Sequence, residues 1–212
     1  MRLPIYRPDQ LTAEQRRVYE ASEEIVKSAS LAGFQVKTGD GVLLGPWSVL
    51  MNFPAIAFGF GQLTSEVEKM RGLSHRARQV VILTVGGLLN VAYELYAHSA
   101  VGADAGLTSS QVAILSAGGR PADLGVEESL AAVVASALLH GGVLPAPTYE
   151  AVITNLGQDA LDAIVFVTIV YLAIGCMLNA YDVASGEPTS WVSRAARNSA
   201  GSPVLMPSTP SA

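Results

Sequence analysis

Glu94 and His98 are the two residues whose types and spacing could do chemistry in this chain. Four positions apart on a helix, they share one face. Val91 lies one turn earlier on that face and Tyr93 and Ala97 sit beside it. Leu88, Leu89, Ala92, Leu95 and Val101 make the surroundings apolar. A carboxylate there favours the charged imidazole, while desolvation opposes charge on either group. Such a pair can take up or release a proton near neutral pH. The same spacing also occurs on solvated helix faces, so spacing alone leaves a structural role open. No metal site is expected. The histidines are His75, His98 and His140, and there is no HExxH motif or cysteine cluster. His140, just before Gly141, is expected to cap carbonyls at a helix end. His75 is expected in an exposed first turn. Cys176, the one cysteine, can form no internal disulfide and is expected to be an inert core residue.

The elements that must position the pair are helical. Thr12 and Gln15 form a capping box for a helix to about Ala29, with Val18, Ala21, Ile25 and Ala29 at helical spacing. Gly33 to Gly45 reads as a surface loop, and Gly45-Pro46-Trp47 starts a short helical turn. Pro54 opens a helix to about Met70, stopped by Gly72. Ser74 caps the next helix, whose apolar run is Val80 to Leu89 and whose end Gly86-Gly87 should weaken. The Glu94–His98 helix is expected over about Asn90 to Ala105, with Gly106 as its stop. Thr108, with Gln111 at N3, caps another. Glu127–His140, Pro147–Leu156 and Asp159–Ala184 complete the set. No segment alternates with a two-residue period before a hairpin turn, so the fold class is all-α, with more than about 60% helix against a base rate near one third.

Half of the 212 residues are hydrophobic and 15% are charged, enough for one large core with apolar surface left for a subunit interface. The formal charge is -5, and the densest basic group is Arg71, His75, Arg76 and Arg78. That excludes a nucleic-acid footprint. Ala163 to Tyr181 carries no charge, close to the lower length for a membrane span. Thr168, Gly175 and Asn179 interrupt it, and acids rather than basic anchors flank it, so a buried core or interface helix is expected and no membrane contact. The small-residue helices point to a homo-oligomer, dimer or trimer-based. The absence of a signal core in Met1–Gln10 and of paired cysteines suits the cytoplasm. Residues 194–212 are rich in Ser, Pro and Ala and read as a flexible tail after a helical domain over 1–193.

The order of several motifs resembles the carboxymuconolactone decarboxylase family, of alkylhydroperoxidase-like fold. Arg76-Ala77-Arg78-Gln79, then Tyr93-Glu94 and His98, then Ala105-Gly106-Leu107-Thr108 follow a family core written R-x-R-E, Y-E-W-x-x-H and A-G-L-[ST]. Leu11–Arg16, Gly45–Trp47, Asn52–Pro54 and Tyr171–Val183 extend the resemblance over about residues 11–185. The chain departs from the alkylhydroperoxidase branch, whose Cys-x-x-Cys pair would fall on Val91 and Glu94, neither of which forms a thiolate. That branch's relay acid falls on Gln79, and Leu95 replaces the usual Trp. The decarboxylase branch, like this chain, has Glu four before His. The resemblance implies a cofactor-free acid/base enzyme acting on a small lactone or carboxylated enol-type substrate. His98 is the candidate acid and Glu94 its orienting partner. Arg76 or Arg78 would bind a substrate carboxylate. Tyr93, Tyr96, Gln79, Trp47 and Asn179 are the other candidate substrate contacts. The alternatives are a non-catalytic ligand-binding oligomer that keeps the fold, and a residual hydroperoxide reductase.

Overall fold

The computed structural model describes residues 1–30, 34–183 and 185. Of the described residues 68% are helical, and the β-structure among them is a single bridge between Lys37 and Leu43. After a 3-10 turn at Pro8–Gln10 come α1 (Ala13–Ser30), α2 (Pro46–Leu50), α3 (Pro54–Lys69), α4 (His75–Leu88) and α5 (Ala92–Asp104). They are followed by α6 (Ser109–Ser116), α7 (Val126–His140), α8 (Ala146–Asn155) and α9 (Gln158–Ala180). The predicted tail and domain boundary at 193/194, and Ala184 at the predicted end of α9, lie outside the described residues.

The caps form as the sequence dictates. Thr12 and Gln15 exchange main-chain and side-chain hydrogen bonds at 3.0 and 3.3 Å, and Thr108 and Gln111 do so at 3.0 and 3.2 Å. Ser74 Oγ accepts from the Ala77 amide at 3.1 Å. His140 Nδ1 lies 2.7 Å from the Ser136 carbonyl in the last turn of α7. Among the side chains described in α1, Gln15, Val18 and Ser22 are buried, so this part of the helix is partly seated on polar side chains; Ala21 is exposed. Gln15 Nε2 donates to the Met51 carbonyl at 3.1 Å, which ties α1 to the end of α2.

The centre of the molecule is α4. Every residue from Ala77 to Gly86 is buried, because α5, α6, α7 and α9 pack around it. Gly86 and Gly87 do not weaken its end, as their flexibility alone suggests. They lie inside the helix and permit close packing. A Cβ on Gly87 would lie 2.1 Å from the Leu115 carbonyl oxygen of α6. After α4 the chain turns through Asn90, whose φ of +51° is left-handed, so α5 begins at Ala92 rather than Asn90.

Two further expectations are corrected. The stretch predicted as a surface loop packs inward over its described residues: Val36, Thr38, Val42, Leu43 and Leu44 are all buried. Part of its main chain pairs within the segment, with Thr38 N donating to Val42 O and Leu44 N to Val36 O, both at 2.9 Å. Cys176 is exposed rather than a core residue, on the outer face of α9 with Phe166 and Ile169. The opposite face of α9 buries Ala160, Ile164, Val167, Ile174 and Leu178, among others, with α4 and α7 packed against the helix. By length and composition α9 could cross a membrane, but half of its most apolar window is buried inside the molecule.

Candidate active site

The turn at Leu89–Val91 brings α5 back along α4, and this sets the central contact. His98 Nδ1 on α5 lies 2.8 Å from Gln79 Oε1 on α4. With that oxygen as acceptor, Nδ1 carries the ring proton and Nε2 is left with its lone pair. Nε2 lies 3.5 Å from Glu94 Oε2, one turn earlier on the same helix. Glu94 is 4% exposed, and its Oε2 is buried with no hydrogen-bond partner. His98 and Glu94 are thus in contact at ion-pair distance without hydrogen-bond geometry between them. Catalytic contacts of this kind commonly tighten only when a ligand is bound.

Burial sets the proton affinities of the pair. Desolvation pushes the Glu94 carboxyl up to about 8 and the His98 imidazole down to about 4, the latter helped by the charge of His75. Both shifts favour a pair with no net charge. Whether the proton sits on Oε2 or on Nε2, the pair then holds one proton at neutral pH.

An open cavity of about 610 Å³ borders this pair. Gln79, Glu94 and His98 line its polar side, while Phe34, Val36, Trp47, Val101 and Ile174 line apolar walls. The inward-packed 34–45 segment supplies one wall. It is held by Tyr93, whose hydroxyl donates to Gln35 O at 3.0 Å, and by Tyr96, whose hydroxyl accepts from Gln35 N at 3.0 Å. Gly45 makes the close approach possible. Its φ is +61°, and a Cβ there would lie 2.1 Å from Tyr93 Cε1.

Of the residues singled out from sequence, Glu94, His98, Gln79, Tyr93 and Trp47 line the cavity. Tyr96 and Asn179 do not; Tyr96 braces Gln35, and Asn179 Nδ2 donates to Leu89 O at 2.8 Å, closing the end of α4. The two arginines, expected on a substrate carboxylate, are engaged elsewhere. Arg76 pairs with Glu128 at 2.9 Å, donates to Gln111 Oε1 at 3.0 Å and also donates to the Gly106 carbonyl. Arg78 is buried and donates to Val67 O at 3.2 Å and Met70 O at 3.1 Å, capping α3. Sequence reasoning missed Tyr171 of α9. Its ring stands edge-on to His98, with centroids 5.1 Å apart at 89°, and it also lines the cavity. Burial raises its phenol well above the usual range, so it stays protonated. The signal was a hydroxyl-bearing ring inside an uncharged run. It also missed the rim residues Glu68 and Asp104.

No protein-family model matches the chain, and no curated protein matches it in sequence. Solved structures do match in fold. A peroxidase-related protein with an alkylhydroperoxidase AhpD core from Ralstonia eutropha JMP134 superposes with a TM-score of 0.68 at 16% identity. The match covers 88% of this chain and 92% of that one. A variant of the debrominase Bmp8 in complex with 2,3,4-tribromopyrrole gives 0.64 at 14% identity, over 92% of this chain and 96% of that one. The apo form of the same debrominase gives 0.64 at 13% identity, over 91% and 96%. The chain therefore has the all-α AhpD-like fold, as the motif resemblance implies.

Proposed function

We propose that this chain is a cofactor-free acid/base enzyme that moves a proton on a small lactone or enol-type ring held in the cavity. The observation that carries the reading is the buried Glu94–His98 contact, fixed from behind by Gln79 and opening on a cavity of about 610 Å³. A volume of that size is within the usual range for small-molecule sites. Gln79 holds the imidazole in one tautomer and aims Nε2 at Glu94. Tyr171 packs against the ring and restricts its rotation. A neutral pair that holds one proton can accept a second from carbon, which leaves a cationic pair beside the anionic dienolate, and can then return it. Charge that develops on the substrate oxygen is then the main energetic demand, and a neutral phenol such as Tyr171 is the kind of donor that meets it. The AhpD-like fold in a debrominase bound to a substituted pyrrole supports a small ring as ligand for this architecture.

The test is a pair of measurements on His98→Ala. Turnover of a panel of butenolides and enol lactones should fall by at least about a hundredfold, the usual weight of one general acid/base group, while assembly and ligand binding persist. Unchanged turnover with a large loss of thermal stability would make the pair a structural contact and sink the assignment. Binding with no turnover in the unaltered protein would favour a ligand-binding oligomer.

A further inference from the structure

The charges around the cavity run against the carboxylated substrate that the motif resemblance implies. A carboxylate needs a cation or several free donors to replace its water. Both guanidiniums on α4 are already used. Arg76 is held by Glu128, Gln111 and Gly106 O, and Arg78 by the carbonyls that end α3. The positive end of α4 is also covered, since Glu127 accepts from Ser74 N at 2.8 Å and from Ser74 Oγ at 2.7 Å. At the rim stand two exposed carboxylates, Glu68 on α3 and Asp104 at the negative end of α5. Among the described residues that line the cavity there is no Lys or Arg. On the inner wall, the buried Glu94 Oε2 has no donor. Glu94 and His98 together hold one proton at neutral pH, so the inner wall offers a substrate carboxylate no net positive charge.

We propose that the cavity selects uncharged rings over carboxylates, through Glu68 and Asp104 at its rim, and that the reaction it serves is a proton-shift isomerisation rather than a decarboxylation. The second half rests on the acid/base reading above. In that reaction the pair takes a proton from one ring carbon and the C–H electron pair passes into a dienolate. The pair then returns the proton to the other end of the conjugated system. One C–H bond breaks and one forms. Nothing is oxidised, and no group leaves.

The experiment compares a butenolide acetic acid with its methyl ester by titration calorimetry at pH 7. The ester should bind at least about fivefold more tightly at low salt, the scale of two nearby like charges in a partly hydrated site. In the Glu68→Gln/Asp104→Asn double variant the ratio should fall to within about twofold of unity, and 1 M NaCl should reduce it by screening. The acid binding as tightly as the ester, a ratio unchanged in the double variant, or neither compound binding would each overturn the selection. The isomerisation is read separately, by deuterium entry from D2O into the ester's ring carbons and its loss in His98→Ala. Selective binding without exchange removes the acid/base reading and leaves the selectivity standing. Exchange without selectivity does the reverse.

Discussion

The proton shared by Glu94 and His98 gives each residue a pH signature. In the folded chain the pair keeps one proton between about 4 and about 8. In the unfolded chain, with ordinary values of 4.5 for the carboxyl and 6.5 for the imidazole, it holds one proton only between those two values. Above 6.5 the unfolded chain has lost a proton that the folded pair retains, so stability falls as pH rises from about 6.5 to about 8. Below 4.5 the unfolded chain takes up a second proton first, so stability also falls as pH drops. Glu94→Gln removes the raised carboxyl and leaves only the lowered imidazole. Its stability should rise through about pH 4 to 6.5 and then stay flat. Melting temperatures across pH 4–9 check this, and an identical decline above 6.5 in both proteins would count against the shared proton. The activity limb that reports the acid should move to lower pH in the same variant, because His98 alone loses its proton more easily.

Among the elements, α4 carries most of the structural burden, and its arginines show how. Arg78 closes the end of α3 with two hydrogen bonds, so Arg78→Ala leaves the Val67 and Met70 carbonyls without those donors. A loss of about 2–4 kcal/mol is expected, with the affinity for a neutral ligand little changed in the folded fraction. Chemical denaturation with a parallel binding assay measures both. A weakened affinity at unchanged stability would return Arg78 to the site. Gly45→Ala tests the inward wall. The left-handed φ and the contact with Tyr93 together should cost on the order of 2–4 kcal/mol. Because Tyr93 holds Gln35, ligand affinity should fall with it. A stable variant with normal affinity would show that the wall is not held this way.

At the level of the whole molecule, Phe166, Ile169 and Cys176 leave an apolar stripe along the outer face of α9. Large apolar stripes on a free surface are uncommon in monomers. We propose that a second copy of the chain covers it, since the stripe is nearly uncharged and a two-fold axis would lay it against its own copy. Light scattering should give at least twice 22.1 kDa at micromolar concentration. Phe166→Glu/Ile169→Glu should return the mass to that of a monomer with the helical signal intact. A wild-type monomer would refute the idea.

Helix positions, caps and the Glu94–His98 relation are local matters, and the sequence determined them. Capping boxes act over three residues, a helix face repeats every three or four, and Gly106 and Gly141 end helices through their own backbone freedom. The fold class followed from the same patterns, and the ordered motifs pointed to the AhpD-like architecture. What only the tertiary structure decided was which groups were still free. Arg76 and Arg78 look like anion binders in a motif, yet their guanidiniums go to carbonyls and carboxylates on other helices. Tyr171 meets His98 across more than seventy residues of chain. Gly86-Gly87 reads as a weak end and turns out to lie inside α4, where Gly87 admits the close approach of Leu115 of α6. The 34–45 segment reads as surface and becomes a wall of the cavity. Each depends on partners distant in sequence. Propensity and spacing describe what a segment can do alone, and packing decides which of its polar groups are already spoken for.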